Sequence, residues 1–235
     1  MNQLVEKLQG NPLKLAELLW PEVKFYDKQI EIIESIRDND ETYVVAGNQL
    51  GKDFVAGFIA LSFFLVPQLY FPQAYCDSID RATEIPDNPD ALAFPTTKRW
   101  LLKHTRRVIT TSVAEHHLDV LWGEIGRFLM MSKVPLAASL GGELVSNSQE
   151  IRWKVEQLSK NPINYLVGKV SGKGEGMAGH HAAYNLMVID EASGVDEQVY
   201  QQGQGWAKKF LIFGNPNSCV NFFYRGVKSG DLVAE

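Results

Sequence analysis

The sequence predicts an α/β fold, a mostly parallel sheet flanked by helices, on three observations. Short apolar or β-branched runs (Thr42–Ala46, Val108–Thr111, Leu186–Ile189 and Phe210–Phe213) alternate with stretches of helical spacing. The first run passes through a glycine loop straight into an apolar helix, the geometry that gathers backbone N–H groups at a helix N-terminus. The last two runs end in acidic or polar residues, and open α/β sheets hold ligands at the carboxyl ends of their strands.

Composition agrees with one large domain spanning residues 1–235. The 235 residues are 45% hydrophobic and 22% charged, enough to bury a full core without disulfides or metal. A net charge of −5 excludes a protein that coats nucleic acid; contact with phosphate needs a local basic patch. The two cysteines, Cys76 and Cys219, match neither a disulfide framework nor a ligand pair, which suits a reducing compartment and argues against structural zinc. Met1–Gly10 lacks the apolar core of a signal peptide.

Residues 1–41 read as helices. Leu4, Val5 and Leu8, then Leu13–Trp20, give short amphipathic segments divided at Asn11-Pro12, a helix-start signal. A longer helix carries Ile30, Ile33 and Ile36 on one face and closes at Asp38-Asn39-Asp40-Glu41. Residues 42–235 then form the sheet-based core. After the strand Thr42–Ala46 and the loop Gly47–Gly51, Phe54–Val66 is apolar all round. These thirteen residues, closed by Pro67, are too short to cross about 30 Å of hydrocarbon, so the segment reads as a buried core helix.

Residues 67–104 hold five prolines and a mixed charge pattern and read as an excursion on the surface. Ala114–Met131 has helical spacing through Leu118, Leu121, Trp122, Ile125 and Leu129. Ile151, Trp153 and Val155 alternate with charged residues as in a half-buried strand, and Asn161-Pro162 turns the chain toward a hairpin partner, Ile163–Val170. Glycines 172, 174, 176 and 179 mark a loop before Leu186–Ile189, and a helix around Val199–Lys209 precedes the last strand.

Three motifs carry chemistry. Gly47-Asn48-Gln49-Leu50-Gly51-Lys52-Asp53 follows a buried strand and opens a helix, where a phosphate-binding loop belongs. Its amides can cradle phosphates, with the Lys52 ammonium reaching the β and γ oxygens. Ala46 stands where the pattern has its first glycine, and Asp53 where a Ser or Thr hydroxyl ligates Mg2+; a carboxylate is also a hard oxygen ligand. Leu186–Ile189 runs into Asp190-Glu191, placing Asp190 to hold the Mg2+ water shell and Glu191 to polarise an attacking water; the plainer reading is a cap for the next helix. Gly214-Asn215-Pro216-Asn217 closes the last strand, so that Asn215 is either a γ-phosphate sensor or part of a plain turn. Upstream, Gln29 can pair with adenine N6 and N7 and Tyr26 can stack on the ring, although a lone helical Gln is as often a solvated residue.

Taken together, Tyr26 and Gln29, the loop Gly47–Lys52, Leu121-Trp122-Gly123-Glu124-Ile125, the stretch Gly168–Gly194 and Gly214-Asn215-Pro216 resemble the ATPase domain of large terminase subunits, the DNA-packaging motors of tailed bacteriophages. The resemblance covers nearly the whole chain. It implies an additional-strand P-loop NTPase fold of the RecA/ASCE type, with ATP and Mg2+ at the site. Catalytic roles fall to Lys52, Glu191 and Asn215, nucleotide contacts to Tyr26, Gln29 and Gly47–Asp53, and metal contacts to Asp190 and Asp53. It further implies translocation of double-stranded DNA in the host cytoplasm, with the portal protein and the small terminase subunit as partners and a homo-oligomeric, pentameric ring. The family's RNase H-like nuclease domain is expected after the last strand and its helix, so nuclease activity is not expected of residues 1–235.

Asn48 stands where many members of that family carry an arginine, which implies a cation donated by a neighbouring subunit; Arg99, Arg106, Arg107, Arg127 and Arg152 are the candidates. Lys98, Arg99, Lys103, Arg106 and Arg107, with Trp100 among them, form either a DNA-contacting patch or a solvated face, and Lys173 stands alike. His180-His181 do not form a zinc site, since consecutive side chains of an extended segment diverge. A helicase-type remodeller or a nucleotide-binding module with weak hydrolysis is the alternative function.

Overall fold

A computed structural model describes residues 7–45, 47, 51–81, 104–134, 136, 143–147, 149–154, 164–171, 176–215 and 220–229. Helix α1, Pro12–Leu19, starts where expected: Asn11 accepts from Leu13 N at 2.8 Å and Pro12 takes the first turn, where its missing N–H costs nothing. Trp20 ends it, buried, with its indole donating to Phe128 O at 2.6 Å.

In helix α2, Asp27–Asp38, the buried stripe is Gln29, Ile32, Ile33 and Ile36, an i, i+3, i+4, i+7 set. The expected member Ile30 is only half-buried, and Gln29 takes its place on the inner face.

Strand β1, Glu41–Val45, leads to the loop, and helix α3, Lys52–Leu65, leaves it. Every residue from Val55 to Leu65 is buried, because α3 lies between the sheet and helices α2 and α5 (Glu115–Met131). Its all-round apolarity is that of a core helix, and among the described residues no helix is long and apolar enough to cross a membrane.

The surface excursion expected over 67–104 is corrected at both ends. Pro67–Tyr70 is a buried 3-10 turn, and His104 is buried as well. Tyr70 shares a 2.5 Å hydrogen bond with Ser62 of α3, and Gln68 reaches His104 at 3.2 Å; such polar groups enter a core only with partners. Helix α4, Gln73–Arg81, follows, and residues 82–103 lie outside the described residues.

Strand β2 spans Arg106–Ser112, longer than its apolar centre suggested. Strands β3, Glu143–Asn147, β4, Glu150–Lys154, and β5, Asn164–Val170, follow α5. Strand β6 is Tyr184–Ile189, helix α6 Glu197–Gln204, strand β7 Lys209–Gly214 and helix α7 Phe222–Ser229. Strand β3 was not legible, since its five residues lack a regular alternation. The helix expected to reach Lys209 stops at Gln204, where the chain turns at Gly205 and Trp206.

The seven strands run β1-β7-β6-β2-β5-β4-β3. The five from β1 to β5 are parallel, and β4 and β3 extend the sheet antiparallel, with β4 and β5 paired as expected. Strand β7 is inserted between the loop-bearing β1 and the acidic β6, the additional-strand order. Alternation splits the core: Val108, Leu186, Val188 and Leu211 face α3 and α5, while Ile109, Met187, Ile189 and Ile212 face α6 and α7.

Candidate nucleotide-binding site

The carboxyl ends of β1, β7 and β6 converge on one place. Gly47 is exposed just beyond β1; Asn48, Gln49 and Leu50 lie outside the described residues. Gly51 caps α3 with φ 66, a left-handed conformation that favours glycine. A Cβ there would also stand 2.9 Å from Gln29 Nε2 and 3.6 Å from the Tyr26 hydroxyl. The two upstream residues thus sit against the end of the loop. Gln29 is not solvated: it is buried and its amide donates to Gly51 O at 3.5 Å, while the Tyr26 ring is 47% exposed.

Lys52, in the first turn of α3, crosses to the end of β6. Its ammonium lies 3.0 Å from Asp190 Oδ1 and also pairs with Glu191 Oε1. Burial alone would pull the lysine's pKa down, but the two carboxylates outweigh it and raise it, so the group stays an ammonium. Asp190 is 3% exposed, and burial pushes its carboxyl up against the opposing pull of Lys52. Asp53 is half-buried and is likewise pushed up, by burial first and then by Asp190.

Glu191 has φ 51 and ψ 43, a left-handed backbone uncommon outside glycine, which turns the chain sharply at the end of β6. Strained positions of this kind gather at functional sites. The turn is held from below: Asn221 Nδ2 donates to Ala192 O at 2.9 Å, and Phe222 N donates to Glu197 Oε2 at 2.9 Å. Asn215 follows directly on β7 and is half-buried, so the sheet order places it between the loop strand and the acidic strand; Pro216 to Cys219 lie outside the described residues.

One member of the site was missed. His117, in the first turn of α5, brings a ring nitrogen within 4.8 Å of a carboxylate oxygen of both Asp190 and Glu191. The available signal was positional: α5 begins just past the carboxyl end of β2, the neighbour of β6. The donor set suits a nucleotide with Mg2+: hard carboxylates at Asp190 and Asp53, with an ammonium already drawn to the acids.

The other cations named from the sequence fall in different places. Arg106 is fully buried, its Nε donating to His104 O and its guanidinium to Leu65 O, both at 3.1 Å, and burial pulls its pKa to about 9. Its fully buried guanidinium ties β2 to the end of α3 and is withdrawn from the surface that a DNA contact or a donated cation needs. Arg107 lies over the Tyr165 ring at 5.1 Å and donates to Gly179 O. Arg127 is exposed, next to Glu124 and the Phe54 ring. Lys98, Arg99, Trp100, Lys103, Lys173 and the Arg152 side chain lie outside the described residues. His180 has both ring nitrogens engaged, with the Tyr165 hydroxyl at 2.6 Å and Lys169 Nζ at 3.1 Å.

No protein-family profile and no curated protein matches the chain. Solved structures do. Two of the large terminase ATPase domain of Thermus phage P74-26, one a point-mutant form, match with TM-scores of 0.57 and 0.58 at 16% and 15% identity, each over 90% of this chain and 72% of that chain. The large terminase of bacteriophage HK97 matches at a TM-score of 0.47 and 11% identity, over 90% of this chain and 38% of that chain. With its additional strand between β1 and β6, the chain has the fold of the phage large terminase ATPase domain.

Proposed function

We propose that the chain is an ATP-hydrolysing motor domain that drives double-stranded viral DNA into a procapsid. The observation that carries the reading is the meeting of Lys52 with Asp190 and Glu191 at the carboxyl edge of a sheet with this fold. Gly47, Asn48, Gln49, Leu50 and Gly51 offer amides to the phosphates, and Lys52 leaves the acids for the β and γ oxygens. Tyr26 covers the adenine, while Gln29, tied to Gly51, fixes the end of the loop beside it. Asp190 and Asp53 would hold Mg2+, which neutralises charge developing on the transferred phosphoryl group.

Glu191, released from Lys52, accepts the proton of the attacking water. Asn215 contacts the γ-phosphate and relays its loss to the DNA-gripping surface. An arginine from a neighbouring copy in a ring supplies the cation that Asn48 does not. The portal protein and the small terminase subunit are the partners of such a ring, in the host cytoplasm.

The test is phosphate release by this chain, with and without double-stranded DNA, for wild type and Glu191→Gln. The variant should bind ATP yet turn over at least about a hundredfold more slowly. Near-normal hydrolysis by it would sink the assignment.

A further inference from the structure

We propose that His117 completes a divalent-cation site with Asp190 and Glu191, and that this imidazole makes the site bind Mn2+ more tightly than Mg2+. The proposal rests on the nucleotide-site reading above and adds to it two ligands, His117 and one oxygen of Glu191, whose other oxygen stays free to accept the water proton, and a cation preference. One ring nitrogen and one oxygen of each carboxylate lie within 4.8 Å of one another. Metal bonds of about 2.1 Å hold adjacent donors about 3 Å apart, so small side-chain rotations close the set on one ion.

The surroundings are built for a cation. Asp53, Asp190 and Glu191 face a single ammonium, Lys52, among the described residues. Ser112 adds an independent sign. It is fully buried, and its hydroxyl has no hydrogen-bond partner among the described residues. It stands one residue past the last β2–β6 register pair, Thr111 with Ile189, which puts it across from Asp190. Asp190 Oδ1 is buried too, and the Lys52 ammonium lies 3.0 Å from it. A buried hydroxyl without a partner, level with a buried carboxylate held by an ammonium that phosphates can draw away, is a donor pair suited to a cation.

Lys52 holds that place when no phosphate is bound. Once phosphates draw the ammonium away, both carboxylates face His117. Oxygen donors suit Mg2+ and Mn2+ alike, whereas an imidazole nitrogen is a donor that Mn2+, a first-row transition ion, accepts more readily than the harder Mg2+. The His117 ring lies beside that of His116, tilted by 39° with centroids 4.0 Å apart.

The experiment is Mn2+ binding to the whole chain by electron paramagnetic resonance, in inorganic triphosphate, which carries no nitrogen. Pulsed measurement on wild type should show an imidazole-nitrogen coupling, lost in His117→Ala and in His117→Gln. Mn2+ affinity should fall on the order of tenfold or more in both variants, and Mg2+ affinity by less. A wild-type Mn2+ signal without nitrogen coupling overturns the proposal, however the variants fold. ATP affinity in Mg2+, measured on the same wild-type sample, separates the failures. ATP bound without the coupling overturns the His117 site alone; no ATP bound overturns the nucleotide reading and the site with it.

Discussion

The Lys52 ammonium stands 3.0 Å from Asp190 Oδ1, joining the start of α3 to the end of β6 across the intervening strand β7. The pair sets what happens when either charge is removed. Lys52→Met leaves a 3% exposed carboxylate without its cation, and the nucleotide-free chain should lose about 1–3 kcal/mol. Adding Asp190→Asn should recover most of that, since a neutral amide is cheaper to bury. Urea unfolding without nucleotide or metal measures both, and a Lys52→Met chain as stable as wild type would show that the pair does not form in solution.

Asp53 is the departure from the phosphate-loop pattern that can be repaired. Burial and the neighbouring Asp190 both disfavour its ionised form, so the carboxylate is held there at some cost. Asp53→Ser restores a hydroxyl and should keep or raise ATPase turnover, with any decrease below tenfold, or about 1.4 kcal/mol of barrier. Steady-state phosphate release in Mg2+ decides it. Complete loss of turnover would assign the carboxylate a role of its own.

Helix α7 is seated on β1 by a glycine. A Cβ on Gly226 would overlap the Tyr43 ring, whose hydroxyl donates to Glu41 at 2.7 Å and meets Tyr200 at 3.2 Å. Gly226→Ala should cost about 1–3 kcal/mol through overpacking. Gly126, inside α5 with open space around it, provides the contrast: Gly126→Ala should gain about 0.5–1 kcal/mol. Thermal melts of the two variants should shift in opposite directions.

His180 makes stability depend on pH. Burial lowers its pKa below 6.5, and the charges of Lys169, Arg107 and His181 lower it further, against a raising contribution from the Gly176 carbonyl. The Tyr165 hydroxyl on Nδ1 completes its surroundings. The unfolded chain therefore takes up a proton near pH 6.5 that the folded chain resists. Stability should fall as the pH drops below 6.5 and level off below the folded value. His180→Gln should flatten that segment of a stability–pH curve; an unchanged slope would mean that other groups carry it.

Much of this protein could be read from local pattern. Strand, glycine loop and apolar helix at 42–66, the acidic end at Asp190-Glu191 and the strand leading to Asn215 are short-range features, and period and turn chemistry write them into neighbouring residues. Strand β3 was illegible because five residues without regular alternation carry no period. Pro67–Tyr70 was misread because prolines and a glutamine mark surface on average, whereas here Gln68 finds His104 inside the core.

What the sequence determined by itself is the order of the chemical pieces and the sheet class, since each piece is contiguous. Only the tertiary structure decided which residues meet. Gln29 turned inward because it falls on the stripe of Ile32, Ile33 and Ile36 that packs against α3. Arg106 left the list of exposed cations because β2 is covered on both faces. His117 entered the site because α5 starts beside the strand that ends in Asp190. Burial and convergence depend on what packs from distant parts of the chain, and no local period records that.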